Sequence, residues 1–321
     1  MARPPGQSGR VGGQAYHGRM ADTETLRLEA AIIVALRGVP AVKKLAPTEV
    51  RAAIERGDDP IALLRETSDL VGQLTDFEAE IDRASEDIRG WRATGLDVLF
   101  AFEEDYPRPL LQVYDYPPVL FGRGAHGHDH DAVAIVGSRN ASERSLHLAY
   151  QLARLLADQD VTVISGLARG IDTAAHRGAL DATGRTIAVL GQGAGTPIYP
   201  KENAGLAREI LNNGGQTLSQ FWPGSPPTKQ TFPIRNVTMS GLSAVTAIVE
   251  AAEKSGTRHQ AAAAVRHGRR LLLQESVVRN TSWGRDLVAK GLAEPFVDAS
   301  DGVMVALGDL RATSAAGAVF A

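Results

Sequence analysis

The chain of 321 residues contains no cysteine. Disulfides, thiolate metal sites and cysteine nucleophiles are therefore excluded together. Long apolar runs are missing too: Ala30 to Leu36 is among the longest, far short of the roughly 20 residues that cross a bilayer as a helix. The opening residues, with their Pro, Gly, Gln and Arg, lack the apolar centre of a secretory signal. These two absences predict a cytoplasmic protein with no membrane partner. There is no Gly-Lys-Ser/Thr phosphate loop, and Gly191-Gln-Gly-Ala-Gly195 lacks the third glycine of the dinucleotide-binding spacing. That argues against an ordinary ATPase or NAD enzyme and predicts no cofactor. No catalytic triad or metal-ligand set is visible, so no catalytic residue is expected. The tract His126-Gly-His-Asp-His-Asp131 has metal-binding residue types, yet adjacent residues in a glycine-bearing stretch seldom close a tetrahedron around one ion. It reads as a solvated linker.

What is present divides the chain in two. A 44% apolar content suffices for one sizeable core and a smaller second one. The net charge of -3 conceals an asymmetry: Thr23 to Asp131 holds 12 Lys and Arg against 21 Asp and Glu, whereas Ala132 to Ser300 holds 18 against 13. A basic half beside an acidic half suits a nucleic-acid or nucleotide site in the former, although uneven surface charge alone would produce the same count.

Residues 1–22 carry little to bury and read as a disordered leader. Over 23–94 the apolar positions Leu26, Leu28, Ile32, Ile33 and Leu36 recur at roughly helical spacing, and Asp59-Pro60 opens another such run. This predicts a small helical domain. Residues 95–131 read as a connecting arm and linker, with one strand-like segment, Leu96 to Phe102, and prolines in Tyr106-Pro-Arg-Pro and Tyr116-Pro-Pro that force extended or turn backbone. Over 132–310 short apolar runs at 132–136, 161–164, 186–190, 216–221, 244–251 and 270–273 alternate with helix-length patterns. Strands apolar on both sides and separated by helices imply parallel βαβ units. The fold class expected is α/β, a Rossmann-like, doubly wound and mainly parallel sheet behind a helical domain, with 311–321 as a tail.

In such sheets ligands bind outside the carboxyl ends of the strands, so the residues after each run carry the functional information. They are Gly137-Ser-Arg139, Ser165-Gly-Leu-Ala-Arg-Gly170, Gly191 to Gly195, Glu250 and Ser255-Gly-Thr257, with Gln274-Glu-Ser276 after the last long strand. Gly166 and Gly170 would let backbone amides approach an anion, Ser165 would add a hydroxyl, and Arg169 a fork suited to phosphate. Against this, Asp172 near the helix start can cap the same amides and repel an anion. His176, four residues on, is placed to pair with Asp172. Any one glycine here is also accounted for by a tight strand-to-helix turn.

The ordered set of motifs carries a resemblance. Ala134-Ile-Val-Gly-Ser-Arg139, Ser165-Gly-Leu-Ala-Arg-Gly-Ile-Asp172, Ile187-Ala-Val-Leu-Gly191, Tyr199-Pro200, Glu202-Asn203, Phe232-Pro-Ile-Arg-Asn236, Ser240-Gly-Leu-Ser243, Val249-Glu-Ala251 and Ser255-Gly-Thr257 closely resemble the bacterial DNA-processing protein A family, also called Smf. Upstream, Tyr106-Pro107 and Pro117 to Phe121 fit it as well, and the match spans roughly residues 95 to 295. The resemblance implies a helical, SAM-like N-terminal domain on an extended Rossmann fold. It further implies binding of single-stranded DNA without base specificity, a homodimer, and loading of the RecA recombinase during natural transformation, with no catalytic activity. Arg139, Arg169, Arg235 and Asn236 fall on matched motif positions and take the DNA-contact role by inference. Gly137, Ser138, Ser165, Gly166, Gly170, Lys201 and Asn203 complete the candidate DNA- or phosphate-binding set. Tyr199, Trp222, Phe232 and Trp283 would offer faces for stacking bases, or would anchor loops.

Three departures mark a divergent member. Val237 stands where the family usually has a second Arg, Gln220 where it has Glu, and Leu273-Gln-Glu-Ser replaces a Pro-Gly turn. The winged-helix tail of some members is expected to be absent. Two readings of other classes stay open. One is a nucleotide sensor or phosphoribohydrolase-like enzyme, with Arg169 and Glu250 as its pair and Ser255-Gly-Thr257 as a phosphate cradle. The other is an interaction scaffold whose acidic helical domain recruits a partner.

Overall fold

The computed structural model describes residues 23–38, 44–67, 74–127, 129 and 131–319. Among the described residues four helices come first: α1 (Thr23–Arg37), α2 (Pro47–Arg56), α3 (Pro60–Thr67) and α4 (Leu74–Ala93). Their ends follow local chemistry. Pro47 occupies the first turn of α2, Glu49 reaches back to the Ala46 amide at 2.6 Å, and Gly57 closes the helix at φ 71°, where a side chain would be strained.

The strands and remaining helices alternate: β1 (Asp97–Phe100), β2 (Val119–Gly124), β3 (Ala132–Gly137), α5 (Glu143–Ala157), β4 (Thr162–Ser165), α6 (Ile171–Asp181) and β5 (Thr186–Val189). Then follow α7 (Ala204–Asn212), β6 (Gln216–Ser219), α8 (Thr231–Leu242), β7 (Val245–Glu250), α9 (Thr257–Arg266) and β8 (Arg270–Gln274). The last elements are α10 (Glu275–Asn280), α11 (Ser282–Ala289), β9 (Glu294–Phe296) and α12 (Ala299–Val319). All nine strands join one sheet in the order β1-β2-β6-β5-β4-β3-β7-β8-β9. From β6 to β9 every pairing is parallel, with Val133 opposite both Val163 and Val245. The chain steps outward from β3 to β6 and then returns to the far side of β3. The order therefore reverses between β3 and β7, which makes their carboxyl ends the crevice of the sheet.

Strand residues alternate between two cores, as their period of two requires. Val133, Ile135, Val163, Val245 and Leu272 pack under α5, α6 and α12. Ala134, Val136, Ile164, Val189 and Leu273 pack under α8, α9 and α10. Burial on both faces is the reason these strands read as unbroken apolar runs.

Residues 95–131, expected as a connecting arm, are corrected by the sheet. β1 pairs antiparallel with β2, and β2 pairs antiparallel with β6, with Phe121 opposite Ser219. Phe100 and Phe121 sit in a third core that they share with Leu26, Ile33, Leu64, Ile81 and Ile88 of the helices. The prolines bend the intervening 101–118 loop back over the sheet, where Tyr106 is buried and its hydroxyl donates to the Pro117 carbonyl. Within the histidine tract, first read as a solvated linker, His126 and Asp129 are tied to the fold. His126 pairs with Asp97 at 3.3 Å, and Asp129 accepts from Arg185 at 2.6 and 2.9 Å and from Thr162 at 2.8 Å. His128, His130 and the leader 1–22 lie outside the described residues. The expected tail continues α12 as far as Val319. Among the described residues no helix is long and apolar enough to cross a membrane, and no group of three or more His, Asp or Glu is placed to hold a metal ion.

An aromatic cluster and a buried ion pair lie where the helices meet the sheet. Trp91, Phe121 and Trp222 cluster with centroid separations of 5.3 and 5.7 Å, and the Arg37 guanidinium lies 5.2 and 5.0 Å from the Trp91 and Trp222 rings. Beside them Glu29, fully buried, accepts two 2.8 Å bonds from Arg92. Glu103, just past β1, bonds to the Phe100 amide at 2.8 Å and faces Glu29. Burial first, and then the Glu29 carboxylate, push the Glu103 carboxyl up to about 7 against the pull of the Phe100 amide and Arg92.

Candidate nucleic-acid interface

The end of β3 is stitched to its neighbours by backbone. The Ser138 amide donates to the Glu250 carbonyl at 2.9 Å, the Ser138 carbonyl accepts from the Ile171 amide at 3.2 Å, and its hydroxyl accepts from the Asn140 amide at 3.1 Å. A Cβ on Gly137 would lie 2.5 Å from Ile171, so only glycine permits this crossing. The turn delivers Arg139 to the rim of the sheet, exposed, with its guanidinium 4.8 Å from the centroid of Phe232. Phe232 rests on Gly191, where a Cβ would come within 2.8 Å of the ring. Tyr199, 52% exposed, stands beside the same ring at 6.0 Å between centroids. Two loop residues and one from the first turn of α8 thus form one cationic and aromatic platform at the carboxyl ends of the strands.

The glycine turn after β4 holds something other than the anion its sequence suggests. Asp172, on the first turn of α6, accepts from the Gly166 amide at 3.1 Å and the Ala168 amide at 3.3 Å. Beside it lies the guanidinium of Arg235 from α8, which is 5% exposed and donates to the Val189 carbonyl at 2.9 Å and to Asn236 Oδ1 at 3.1 Å. A Cβ on Gly166 would lie 1.6 Å from Arg235 Nη1, so the glycine makes room for the arginine. Burial raises the Asp172 carboxyl, opposed by Arg235 and the two amides; burial also lowers the Arg235 guanidinium, opposed by Asp172. Each of the two opposite charges thus offsets part of the other's burial.

The expectation that these amides, Ser165 and Arg235 face a phosphate is therefore corrected. The Ser165 hydroxyl donates to the Ile135 carbonyl at 2.6 Å, and Gly170, at φ 75°, would place a Cβ 2.3 Å from the Ser138 carbonyl oxygen. Asn203 braces the same loop from outside, donating to the Leu167 carbonyl at 2.8 Å and to Thr173 at 2.9 Å. His176 bonds through Nδ1 to Thr186 at 2.7 Å rather than to Asp172. Because the Thr186 hydroxyl donates to the Val163 carbonyl, Nδ1 carries the ring proton, and Nε2 is left buried without a partner. Burial and the nearby Arg235 drive His176 down to about 3, so it stays neutral.

Of the predicted cations, Arg139, Arg169 and Lys201 reach the surface. Arg169 pairs with Glu202, both about 60% exposed, an arrangement worth little energy and easily opened. The proposed Arg169 and Glu250 couple does not form. Glu250 accepts from the Ser142 amide at 3.0 Å and hydroxyl at 2.7 Å. Burial pushes its carboxyl up, but these bonds outweigh that and hold it below the usual range, so it stays ionised. Ser255 and Thr257 spend their hydroxyls on each other at 2.6 Å. Trp222 is taken up by the joint with the helices, and Trp283 is 5% exposed in the core. Neither offers a face for a base.

The departures have structural counterparts. Gln220 accepts from Thr238, and Gln274 caps α10 by accepting from the Ser276 amide, which replaces a glycine turn with a side-chain cap. Val237 is half-buried on α8. Glu202, the partner of Arg169, was not singled out as a site residue; its place beside Lys201 within a matched motif was the available signal.

The family model for DNA recombination-mediator protein A matches residues 97–306. The chain belongs to that family. Protein Smf of Escherichia coli K12 is 41% identical over 181 residues, covering 56% of this chain and 48% of the relative. A putative DNA processing protein DprA of Mycobacterium tuberculosis is 30% identical over 269 residues, covering 79% and 64%. The X-ray structure of DNA processing protein A from Streptococcus pneumoniae superposes with a TM-score of 0.65 at 26% identity, over 85% of this chain and 96% of that one. That of Helicobacter pylori, described for its single-stranded DNA binding mode, gives 0.58 at 28% identity over 67% and 96%. This DNA recombination-mediator protein A family member spans about half the length of the curated relatives it matches. The expected α/β fold with an N-terminal helical region stands, and the family match starts at β1, inside the segment first read as an arm.

Proposed function

We propose that the chain binds single-stranded DNA, without reading base identity, across the carboxyl ends of its parallel strands. The Arg139–Phe232–Tyr199 platform carries this reading. The guanidinium would meet the phosphodiester backbone and the rings would take base faces, a combination that suits unpaired strands because every base has a π-face. Arg169, released from Glu202, and Lys201 extend the positive track. Asp172, Arg235, Gly166 and Asn203 act one layer beneath as positioning residues. The single-stranded DNA binding mode reported for the Helicobacter pylori relative supports the same assignment. Within this proposal the protein assembles as a homodimer, hands the strand to a RecA recombinase during DNA processing, and performs no chemistry itself.

Fluorescence anisotropy with labelled single strands of increasing length, at two salt concentrations, tests the proposal. Affinity should rise with length, and log K should fall with log salt by roughly 0.7 per neutralised phosphate. Arg139→Ala and Phe232→Ala should each weaken binding, the latter by about 1–3 kcal/mol per stacked base, whatever the sequence. Competition by AMP with no length dependence, or unchanged affinity in a folded double variant, would overturn it. Assembly of RecA on strands coated beforehand with a strand-protecting protein, with and without this chain, tests the hand-over.

A further inference from the structure

At the opposite end of the strands, the starts of β5 and β6 and the 101–118 loop enclose a cavity of about 350 Å³. Its floor is apolar, built from Tyr106, Leu218 and Leu242, each at most 2% exposed. Gln216, the first residue of β6, also lines it and is itself 4% exposed, with Nε2 buried and unpartnered. Among the described residues its Oε1 accepts no hydrogen bond either. Gly122 on β2 keeps a side chain away from that amide, since a Cβ there would lie 3.5 Å from Nε2. At the mouth stand Glu104 and Asp105, both exposed and, among the described residues, without an ion pair or a hydrogen bond. Asp105 acts on His126 only at a distance. Asp129 is held by Arg185, and His126 is bonded to Asp97.

A buried carboxamide with neither atom bonded is costly, and this one borders a space at the lower end of small-ligand volumes. With nothing to fix it, the amide can turn about its last bond, so it offers one donor and one acceptor side by side. Its complement is a group that sets an acceptor next to a donor. The edge of a nucleobase does this, and glutamine pairs in that bidentate way with N6 and N7 of adenine. A peptide amide has the same two groups but no ring to cover Tyr106, Leu218 and Leu242. The free carboxylates of Glu104 and Asp105 are acceptors, which suits the hydroxyls of a ribose and repels a phosphate. Arg108, also exposed on the lining, is one cation against those two. The polar groups are thus sorted by depth, with the amide inside and the hydroxyl acceptors at the rim. A nucleic-acid strand is repelled by the same carboxylates, so this cavity does not continue the DNA track.

We propose that the cavity is a binding site for an adenine nucleoside, with the base edge on the Gln216 amide, the ring on the apolar floor and the ribose hydroxyls on Glu104 and Asp105. It stands independently of the DNA reading, being built from other residues at the other end of the sheet. The test titrates the full-length, isotope-labelled chain with adenosine and follows the Gln216 side-chain amide signal, assigned by its loss in Gln216→Leu. Calorimetry supplies the affinities of the variants. A saturable shift is expected, and binding should weaken roughly tenfold or more for purine riboside, which lacks the N6 donor, and likewise in Gln216→Leu, one factor of ten being about 1.4 kcal/mol. The Glu104→Ala/Asp105→Ala variant should also bind more weakly; both residues are exposed, so it should fold even if the core substitution does not. Saturating adenosine should leave the affinity for single-stranded DNA unchanged. No saturable shift, equal binding of purine riboside, full binding by the double variant, displacement of DNA by adenosine, or binding of AMP more tightly than adenosine would each overturn the proposal.

Discussion

Glu103→Gln is the substitution whose outcome the structure fixes most tightly. The carboxyl of Glu103 is lifted from 4.5 to about 7 by burial and by Glu29, while its oxygen accepts from the Phe100 amide. Glutamine keeps an acceptor for that amide and removes the second negative charge beside Glu29. The native state holds the proton more tightly than the unfolded chain does. Stability from this group is therefore fully present below 4.5 and is lost as pH rises through about 7. A shift of this size corresponds to about 3 kcal/mol, at 1.36 kcal/mol per unit. The variant should match the parent near the low end of that window and exceed it by up to about 3 kcal/mol at about pH 8. Urea denaturation at a series of pH values, read as the difference between the two proteins, measures it. A difference that does not grow with pH, or a variant less stable at the alkaline end, refutes the placement of Glu103 against Glu29.

Other outcomes follow from the crevice. Gly166→Ala forces a methyl into the Arg235 guanidinium, which is backed by the Val189 carbonyl and cannot retreat freely; a loss of about 1–3 kcal/mol is expected in thermal or chemical melts. Arg235→Met leaves the Val189 carbonyl without its donor and Asp172 without the charge that offsets its burial, at a cost of about 1–3 kcal/mol. Adding Asp172→Asn should recover part of that loss, and a strictly additive double-mutant cycle would show that the two do not interact. Arg169→Ala, by contrast, should leave stability within about 0.5 kcal/mol while lowering DNA affinity, because its ion pair with Glu202 is exposed.

How much of this was legible beforehand depends on the range of each interaction. β3 to β8 could be read because helices cover both faces and leave apolar runs with no alternation to interpret. β2 was obscured by Pro117 and Pro118 at its start, and β9, three residues with Pro295 at its centre, has no run at all. At the site, Gly166, Gly170 and Asp172 were all visible, and so was the conflict between a phosphate and the Asp172 carboxylate. What no local pattern reveals is that Arg235, from a helix far along the chain, fills the space that Gly166 leaves. The aromatics show the same limit. Phe232, Tyr199, Trp222 and Trp283 are alike in sequence context, and only the fold separates the two at the rim from the two spent on packing.

The antiparallel pair β1 and β2 has a consequence for handling the molecule. β6 would otherwise end the parallel sheet with a row of unsatisfied amides and carbonyls, an open template for another strand and hence for aggregation. The segment read first as a connector is thus the hem of the sheet, and the helices sewn to it through Phe100 and Phe121 keep it in place. A fragment cut to begin at β3, the obvious choice for isolating the binding half, would bare that border and should precipitate or pair with itself, whereas one that begins at α1 keeps it finished.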